Sequence, residues 1–238
     1  MRGTKALLAV AAPIAAVALF SSAARGDSGS PASAFGPASD PPASGWQIGY
    51  YTPSPHGTLS YAQAKGGSQP TLSFTSEDNT ALLITGQKTK FPSLLGDLRG
   101  DASITASFTI SDAGVFTYFG EPSCAGPPPD LGPLPNVRFY FQTNNAGGFD
   151  ETHYWWSNPV SQVLANGQWT LNDDFSGSRW SDYFGHFGDD PMYAAGFDKA
   201  LSNVTDIGVS FGGGCFFENG VGTMNGTGMF TLNDFSVG

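Results

Sequence analysis

The sequence is poor in charged residues and in the residues that build helical proteins. Only 13% of its 238 residues are Asp, Glu, Lys or Arg, whereas glycine occurs 32 times. Helical bundles need far more Glu, Lys and Leu, and exported β proteins with many turns have a composition like this one. The composition therefore argues against a helical bundle and favours an all-β protein.

Basic residues are also scarce. The chain has 10 Lys and Arg against 20 Asp and Glu, which gives a formal net charge of -10, and its basic residues stand singly or in pairs. Nucleic acids and anionic membrane surfaces repel such a chain unless it carries a local basic patch. We therefore expect no nucleic-acid partner.

The apolar run near the N-terminus is shorter than a typical membrane-spanning helix. Residues 6–20 form an uncharged run of 15 residues after the basic Arg2 and Lys5, and a membrane helix needs about 20. Small residues follow, so we predict a signal peptide over residues 1–24 with cleavage before Arg25; a retained anchor helix is the alternative. Cleavage removes two positive charges and leaves -12. We expect a secreted protein, extracellular or periplasmic, without membrane insertion after cleavage.

The next segment and the cysteines fit an exported protein. Residues 25–45 are almost entirely Ser, Ala, Gly, Pro and Asp, which predicts a disordered linker before one folded domain over residues 46–238. The two cysteines, Cys124 and Cys215, lie in Gly- and Pro-rich sequence. Pairing is the default in an oxidising compartment, so we predict a disulfide, with free thiols as the alternative.

Apolar and polar residues alternate with a period of two in several segments. The clearest are residues 103–111, 137–142 and 207–212, which predict half-buried antiparallel strands. A change of parity near Asn233 and Asp234 predicts a β-bulge. The other predicted strands are residues 47–51, 71–75, 81–85, 115–119, 160–164, 169–172 and 228–237.

Short turn sequences separate these strands, which favours a two-sheet antiparallel β-sandwich or jelly roll. One short helix is predicted, with Asp190 as its cap and Met192 to Leu201 as its body.

Several motifs resemble the laminin-type and carbohydrate-binding jelly rolls of exported bacterial proteins. They are Leu94–Gly100 (LLGDLRG), Gly167–Leu171 (GQWTL) followed by Trp180, Phe197–Phe211 (FDKALSNVTDIGVSF) and Phe230–Val237 (FTLNDFSV). The resemblance implies a galactose-binding-like jelly roll that takes up a polysaccharide or glycan. In many such domains an Asp near the start of the last strand helps to hold a structural calcium; Asn233 stands at that position here, and no other cofactor is expected.

Sugars are bound by aromatic faces that stack on their C–H surfaces and by polar groups that bond their hydroxyls. Trp155 and Trp156 are adjacent and, in a strand, cannot both face the core, so one of them should lie on the outer surface or rim; the alternative is that the tryptophans complete the core. A second cluster, residues 180–186, could line the same edge. The predicted ligand-binding residues are Tyr154, Trp155, Trp156, Trp180, Asp150 and Glu151.

Evidence for catalysis is weak in the sequence, and no catalytic residue is assigned. No two glutamates have the same-face strand spacing that lectin-like hydrolases use, although Glu151 and Glu218 could converge in space. The histidines are isolated, which argues against a zinc site. We therefore expect a secreted, non-catalytic glycan-binding module. The alternatives are a polysaccharide hydrolase or lyase on a sandwich scaffold, and a structural or protein-binding extracellular domain.

Overall fold

The computed structural model describes residues 45–52, 58–66, 69–77, 79–111, 114–118, 134–144, 148–213 and 220–238. The predicted signal peptide, nearly all of the predicted linker and both cysteines lie outside these ranges. Within them, no helix has the length and apolar character needed to cross a membrane.

The described chain is mostly β-strand. The strands are β1 Gln47–Thr52, β2 Thr58–Gln63, β3 Thr71–Phe74, β4 Asn79–Thr85, β5 Ile104–Ser111, β6 Phe116–Tyr118, β7 Pro135–Thr143, β8 Tyr154–Ser157, β9 Gln162–Val163, β10 Gly167–Asp173, β11 Trp180–Asp182, β12 Val204–Gly213, β13 Val221–Thr223 and β14 Gly228–Val237. One α-helix, α1, spans Ala194–Leu201.

Two antiparallel sheets pack face to face, which confirms the predicted antiparallel β-sandwich with one short helix. The large sheet has the order β11-β8-β7-β12-β4-β1-β2, with β9 added beside β7 and β13 joining β4 to β6. The small sheet has the order β10-β5-β14-β3. Strand β11 therefore forms one lateral edge of the large sheet.

Strand β5 lies at the centre of the small sheet and follows its predicted alternation. Buried and half-buried residues alternate along the whole strand, because every second side chain points toward the large sheet. The predicted bulge in β14 is confirmed, since its pairing with β5 shifts register between Leu232 and Asp234. Asn233 is the extra residue, and its side-chain amide donates to Thr109 Oγ1 over 2.9 Å.

Strands β7 and β12 differ from the prediction because both of their faces are buried. Val137, Phe139 and Phe141 point into the core between the sheets. The opposite face of the large sheet carries a second apolar cluster, which includes Tyr140. Polar groups lie beside it: the Tyr140 hydroxyl donates to Gln142 Oε1 over 2.5 Å, and Gln142 Nε2 donates to Asp206 Oδ2 over 2.8 Å. The prediction that these strands are half-buried is therefore wrong.

Helix α1 closes one end of the sandwich and begins two residues later than predicted. Tyr193 occupies its N-cap position, while the Asp190 side chain accepts a hydrogen bond from the Met192 backbone in the preceding turn. Phe197 and Leu201 are buried in the main core. The helix and the turn before it thus lie next to the β11 edge, since α1 also contacts the 3-10 turn Glu151–His153.

Candidate functional site

The four predicted aromatic ligand residues are buried. Tyr154, Trp155, Trp156 and Trp180 each have 0% exposed surface. Trp155 faces the core, with its ring 4.8 Å from that of Phe197. Trp156 points to the other face, as alternation requires, but Tyr183 packs against it there. The prediction that Trp155 or Trp156 lies on an open surface is therefore wrong, because side chains cover both faces of the sheet at β8.

Asp150 and Glu151, the two predicted acidic residues, lie closer to solvent at the start of β8. Asp150 is the N-cap of the 3-10 turn Glu151–His153, and its Oδ1 accepts hydrogen bonds from Thr152 N over 2.9 Å and Thr152 Oγ1 over 2.7 Å. The Asp150 side chain is 49% exposed, and Glu151 is half-buried. The turn is anchored because the Trp155 indole donates to the Thr152 carbonyl over 2.7 Å.

The turn after β11 presents an aromatic ring to solvent. Asp182 is fully buried, and its Oδ1 accepts hydrogen bonds from the backbone N–H groups of Phe184 and His186, each over 2.9 Å. Gly185 has a φ of 88°, a left-handed conformation that favours glycine. These bonds hold the turn in one shape and leave Phe184 at its tip, 52% exposed.

His186 is oriented by the same buried carboxylate. Its Nδ1 lies 3.0 Å from Asp182 Oδ2, so the hydrogen-bond network assigns the ring proton to Nδ1 and leaves a lone pair on Nε2. The ring stacks on Tyr193 with centroids 3.9 Å apart and planes 6° from parallel. The Tyr193 hydroxyl lies 3.1 Å from Nε2 and donates a hydrogen bond to it when Nδ1 carries the ring proton. Both ring nitrogens of His186 therefore have a partner within the protein.

These groups form one surface at the β11 edge. The Phe184 and His186 rings are 6.3 Å apart, and Tyr193 stacks on His186. Burial raises the pKa of the Tyr193 hydroxyl, and the negative charges of Asp182, Glu151 and Asp190 raise it further. Glu151 belongs to the 3-10 turn that helix α1 contacts. We call Glu151, Phe184, His186 and Tyr193 the edge site. It joins an exposed ring to groups that can form hydrogen bonds.

Behind the edge site, aromatic rings continue inward to the buried residues. Phe149 stacks on Tyr154 with centroids 5.7 Å apart and meets Tyr183 edge to face at 5.1 Å. Phe184 contacts Tyr183 at 5.2 Å in the same edge-to-face manner. The buried Tyr154 and Trp156 thus support the exposed ring rather than contact a ligand themselves.

The ionisation of the Asp150 carboxyl group provides a test of its contribution to the stability of this turn. Burial raises the pKa of its carboxyl, but the hydrogen bonds from Thr152 and the charges of His153 and Lys199 outweigh burial, so the pKa lies below its ordinary value. The stability that the ionised carboxylate contributes is therefore present at neutral pH and lost as the pH falls through the lowered pKa. We expect Asp150→Ala to lower the free energy of unfolding by about 0.5–1 kcal/mol at pH 7, and this difference to shrink as the pH falls through the lowered pKa of Asp150.

Urea unfolding of the wild type and of Asp150→Ala at a series of pH values measures this difference. Asp150→Asn is the matched control, because it keeps an acceptor for the Thr152 N–H and does not titrate. A difference between the wild type and Asp150→Ala that stays constant from neutral to acid pH would contradict the role of the carboxylate.

Another cleft lies on a different part of the surface. It has a volume of about 290 Å³, opens between α1 and the start of β5, and is lined by Arg99, Asp101, Asp174, Phe175 and Asp198, among others. Arg99 is bonded to the neighbouring Asp97 over 2.6 Å, which lowers the Asp97 pKa to about 2. Phe175 in this cleft is half-buried and stacks on Trp180, whereas Phe184 is 52% exposed, so the edge site offers the more accessible aromatic face.

The described residues provide no assembled metal site, since they contain no group of three or more His, Cys, Asp or Glu side chains placed to hold an ion. Asn233, which stands where the jelly rolls that the sequence resembles often have a calcium-binding Asp, belongs to no such group, and a structural calcium stays untested. Cys124, Cys215 and Glu218 lie outside the described residues, so the disulfide and the pairing of Glu151 with Glu218 stay predictions. Comparison of the chain with protein-family models and with curated protein sequences finds no match.

Sequence reasoning included Phe184 and His186 in the second aromatic cluster but did not assign them as ligand residues, and it placed Tyr193 on a helix face. The sequence does contain a signal for this turn, which is the spacing of Asp182, Phe184, Gly185 and His186. An aspartate that accepts hydrogen bonds from backbone groups two and four residues later forms a tight turn, and an aromatic residue at its tip has to point outward.

Proposed function

We propose that this protein is a secreted, non-catalytic glycan-binding module that holds its ligand at the edge site. The observation that carries this proposal is the exposed ring of Phe184, 52% exposed, on a turn held by buried Asp182 and beside the ring of His186. Sugar recognition combines one apolar face with a few fixed polar groups, and a surface shaped before binding loses little conformational entropy. Secretion rests on the predicted signal peptide.

The polar groups of the edge site suit sugar hydroxyls. The Glu151 carboxylate can accept hydrogen bonds from them, and the oxygen of the Tyr193 hydroxyl can accept another. Phe184 offers a face for the C–H surface of a sugar ring. The buried aromatic residues give this surface a rigid support, so the site would bind without the cost of ordering a loop.

The test is binding of the mature protein to a glycan array and to insoluble polysaccharides, with Phe184→Ala as the key variant. We expect Phe184→Ala to weaken binding by at least about tenfold, because truncation of a residue that dominates a binding surface typically costs about 2 kcal/mol or more, and about 1.4 kcal/mol corresponds to tenfold. Folding should change by less than about 0.5 kcal/mol, since the ring is exposed.

Met224→Ala is the matched control, because Met224 is another exposed apolar side chain, 64% exposed, on the loop between β13 and β14. It should bind like the wild type. If no glycan binds, or if Phe184→Ala binds as well as the wild type, the proposed site is wrong.

A catalytic role is the second candidate, and the Asp182–His186 pair favours it. A histidine held by a buried carboxylate can act as a general acid or base, and Glu151 lies nearby. Incubation of the protein with bound polysaccharide would separate the two functions. Release of reducing ends or of unsaturated products, lost in His186→Ala, would make the protein an enzyme; unchanged polymer supports a binding module.

A further inference from the structure

Strand β10 forms one lateral edge of the small sheet. Among the described residues it pairs with β5 alone, and the register between the two strands runs without a shift. Its side chains alternate between the two faces of the sheet, and Gln168, Thr170 and Asn172 are exposed on the outer face. A straight strand edge of this kind is a template on which another strand can pair.

The backbone groups of these three exposed residues point to the open side of β10. Ser103, next to β5, and Gly238, next to β14, exchange two backbone hydrogen bonds over 2.8 and 3.1 Å. A central strand bonds alternately to its two neighbours, so odd-numbered residues of β5 bond to β14 and even-numbered ones to β10. Their partners in β10 are odd-numbered, such as Leu171 opposite Ala106. The N–H and C=O groups of the even-numbered residues of β10 therefore face away from β5.

Two other lateral edges are covered by the chain itself. Lys65 exchanges two backbone hydrogen bonds with Thr71 of β3, over 3.1 and 2.8 Å, and Phe187 forms a bridge to Ser181 of β11. Strand β10 has no such cover among the described residues. Its sequence, GQWTLND, also contains no Lys and no Pro, and its pairing with β5 contains no bulge. These are the features by which natural proteins protect an open edge.

The sequence of β10 is complementary to itself when two copies run antiparallel with Thr170 at the centre. In that register each Gln168 lies opposite Asn172 of the second copy, and the two Thr170 side chains lie opposite each other. An amide group both donates and accepts, so the Gln168 and Asn172 side chains can bond to each other. On the inner face, Trp169 lies opposite Leu171 of the second copy, which makes an apolar pair.

The charge of β10 permits this contact. The chain has a formal net charge of -10, so two copies repel each other over much of their surface. In β10 only Asp173 is charged, and its carboxylate accepts a hydrogen bond from Arg179 within the same chain. In the register centred on Thr170, Asp173 lies opposite Gly167. Pairing through β10 therefore places no like charges opposite each other.

We propose that two copies of this protein associate through β10, antiparallel about a two-fold axis at Thr170, and so join their small sheets into one continuous sheet. The backbone groups of the three exposed residues of each copy would form about six hydrogen bonds across the axis. A two-fold contact is closed, so association stops at the dimer. The proposal does not depend on glycan binding, because the edge site lies at the large sheet.

Sedimentation of the protein over a range of concentrations tests the dimer. We expect monomer near about 1 μM and mostly dimer near about 1 mM, because an interface of one strand is small. Thr170→Lys should weaken the dimer by at least about tenfold, since it places two ammonium groups opposite each other at the axis. Ser73→Lys is the matched control, because it adds the same charge at an exposed position of β3; it should dimerise like the wild type.

Thr170→Cys tests the register and does not rely on the lysine variant. Residues opposite each other in a hydrogen-bonded antiparallel pair have Cα atoms about 5.5 Å apart, which lies within the range of a disulfide. Mild oxidation at high concentration should give a covalent dimer of Thr170→Cys, and neither the wild type nor Ser73→Cys should give one. A protein that stays monomeric to about 1 mM, a dimer that Thr170→Lys does not weaken, or a Thr170→Cys protein that does not cross-link would each overturn the proposal.

Discussion

Gly208→Ala is expected to destabilise the protein by more than about 3 kcal/mol or to prevent folding. Gly208 lies in β12, between Tyr140 of β7 and Ile84 of β4. A Cβ atom at this position would lie 2.1 Å from the Leu83 carbonyl oxygen and 2.9 Å from Ile84 Cα. Both atoms belong to the backbone of a central strand, so neither can rotate away. The two strands would have to separate and lose ladder hydrogen bonds.

Urea unfolding of purified Gly208→Ala measures this effect. Gly100→Ala is the matched control, since a Cβ atom there would meet nothing within 4 Å, and its stability should stay within about 0.5 kcal/mol of the wild type. A Gly208→Ala protein as stable as Gly100→Ala would show that β4 and β12 are not as close as described.

Trp155→Ala and Trp180→Ala should each cost about 3–5 kcal/mol of stability, because both remove a fully buried indole. Trp155 packs on Phe197, and its indole N–H donates to Thr152 O. Trp180 stacks on Phe175 with centroids 5.6 Å apart, and its indole N–H donates to Asp174 O over 2.7 Å. Each substitution leaves a cavity and a carbonyl without its donor.

Comparison of the two tryptophan variants with Phe184→Ala tests which side chains form the binding surface. If the tryptophans formed a stacking surface, their removal would abolish binding and leave stability nearly unchanged. The structure leads to the opposite pattern, in which the tryptophan variants lose stability and Phe184→Ala loses binding. Denaturation curves and binding assays on the three variants distinguish the two cases, and a stable Trp155→Ala protein would contradict the burial of that side chain.

Much of the fold could be predicted because its pattern is local. Strand β5 alternates between buried and half-buried residues over its whole length. In β14, the alternation of apolar and polar residues changes at Asn233, and this change predicts the bulge. Strands β8 and β11 were missed because their sequences, YWWS and WSD, are short and show no alternation. Strand β2 was also not predicted. Most of its described side chains are exposed or half-buried, so its sequence shows no clear apolar face.

The candidate site was predicted less well than the fold. Asp150 and Glu151, which were predicted as ligand residues, lie partly exposed just before β8, and their contact with a ligand stays a prediction. The tryptophans were not, because adjacency in a strand tells only that two side chains point to opposite faces. It does not tell whether each face is open, and Phe149 and Tyr183 cover the outer face next to Tyr154 and Trp156.

The sequence by itself determined the all-β class, the inner faces of β5 and β14 and the acidic character of the chain, since composition and period depend on neighbouring residues alone. Only the tertiary structure decided which aromatic ring is exposed to solvent and which histidine is held in one orientation by a buried carboxylate. Both depend on Asp182, whose carboxylate is buried and therefore must find partners within the protein. It finds them in the backbone of Phe184 and His186 and in the His186 ring, and that choice presents Phe184 at the edge of the sheet.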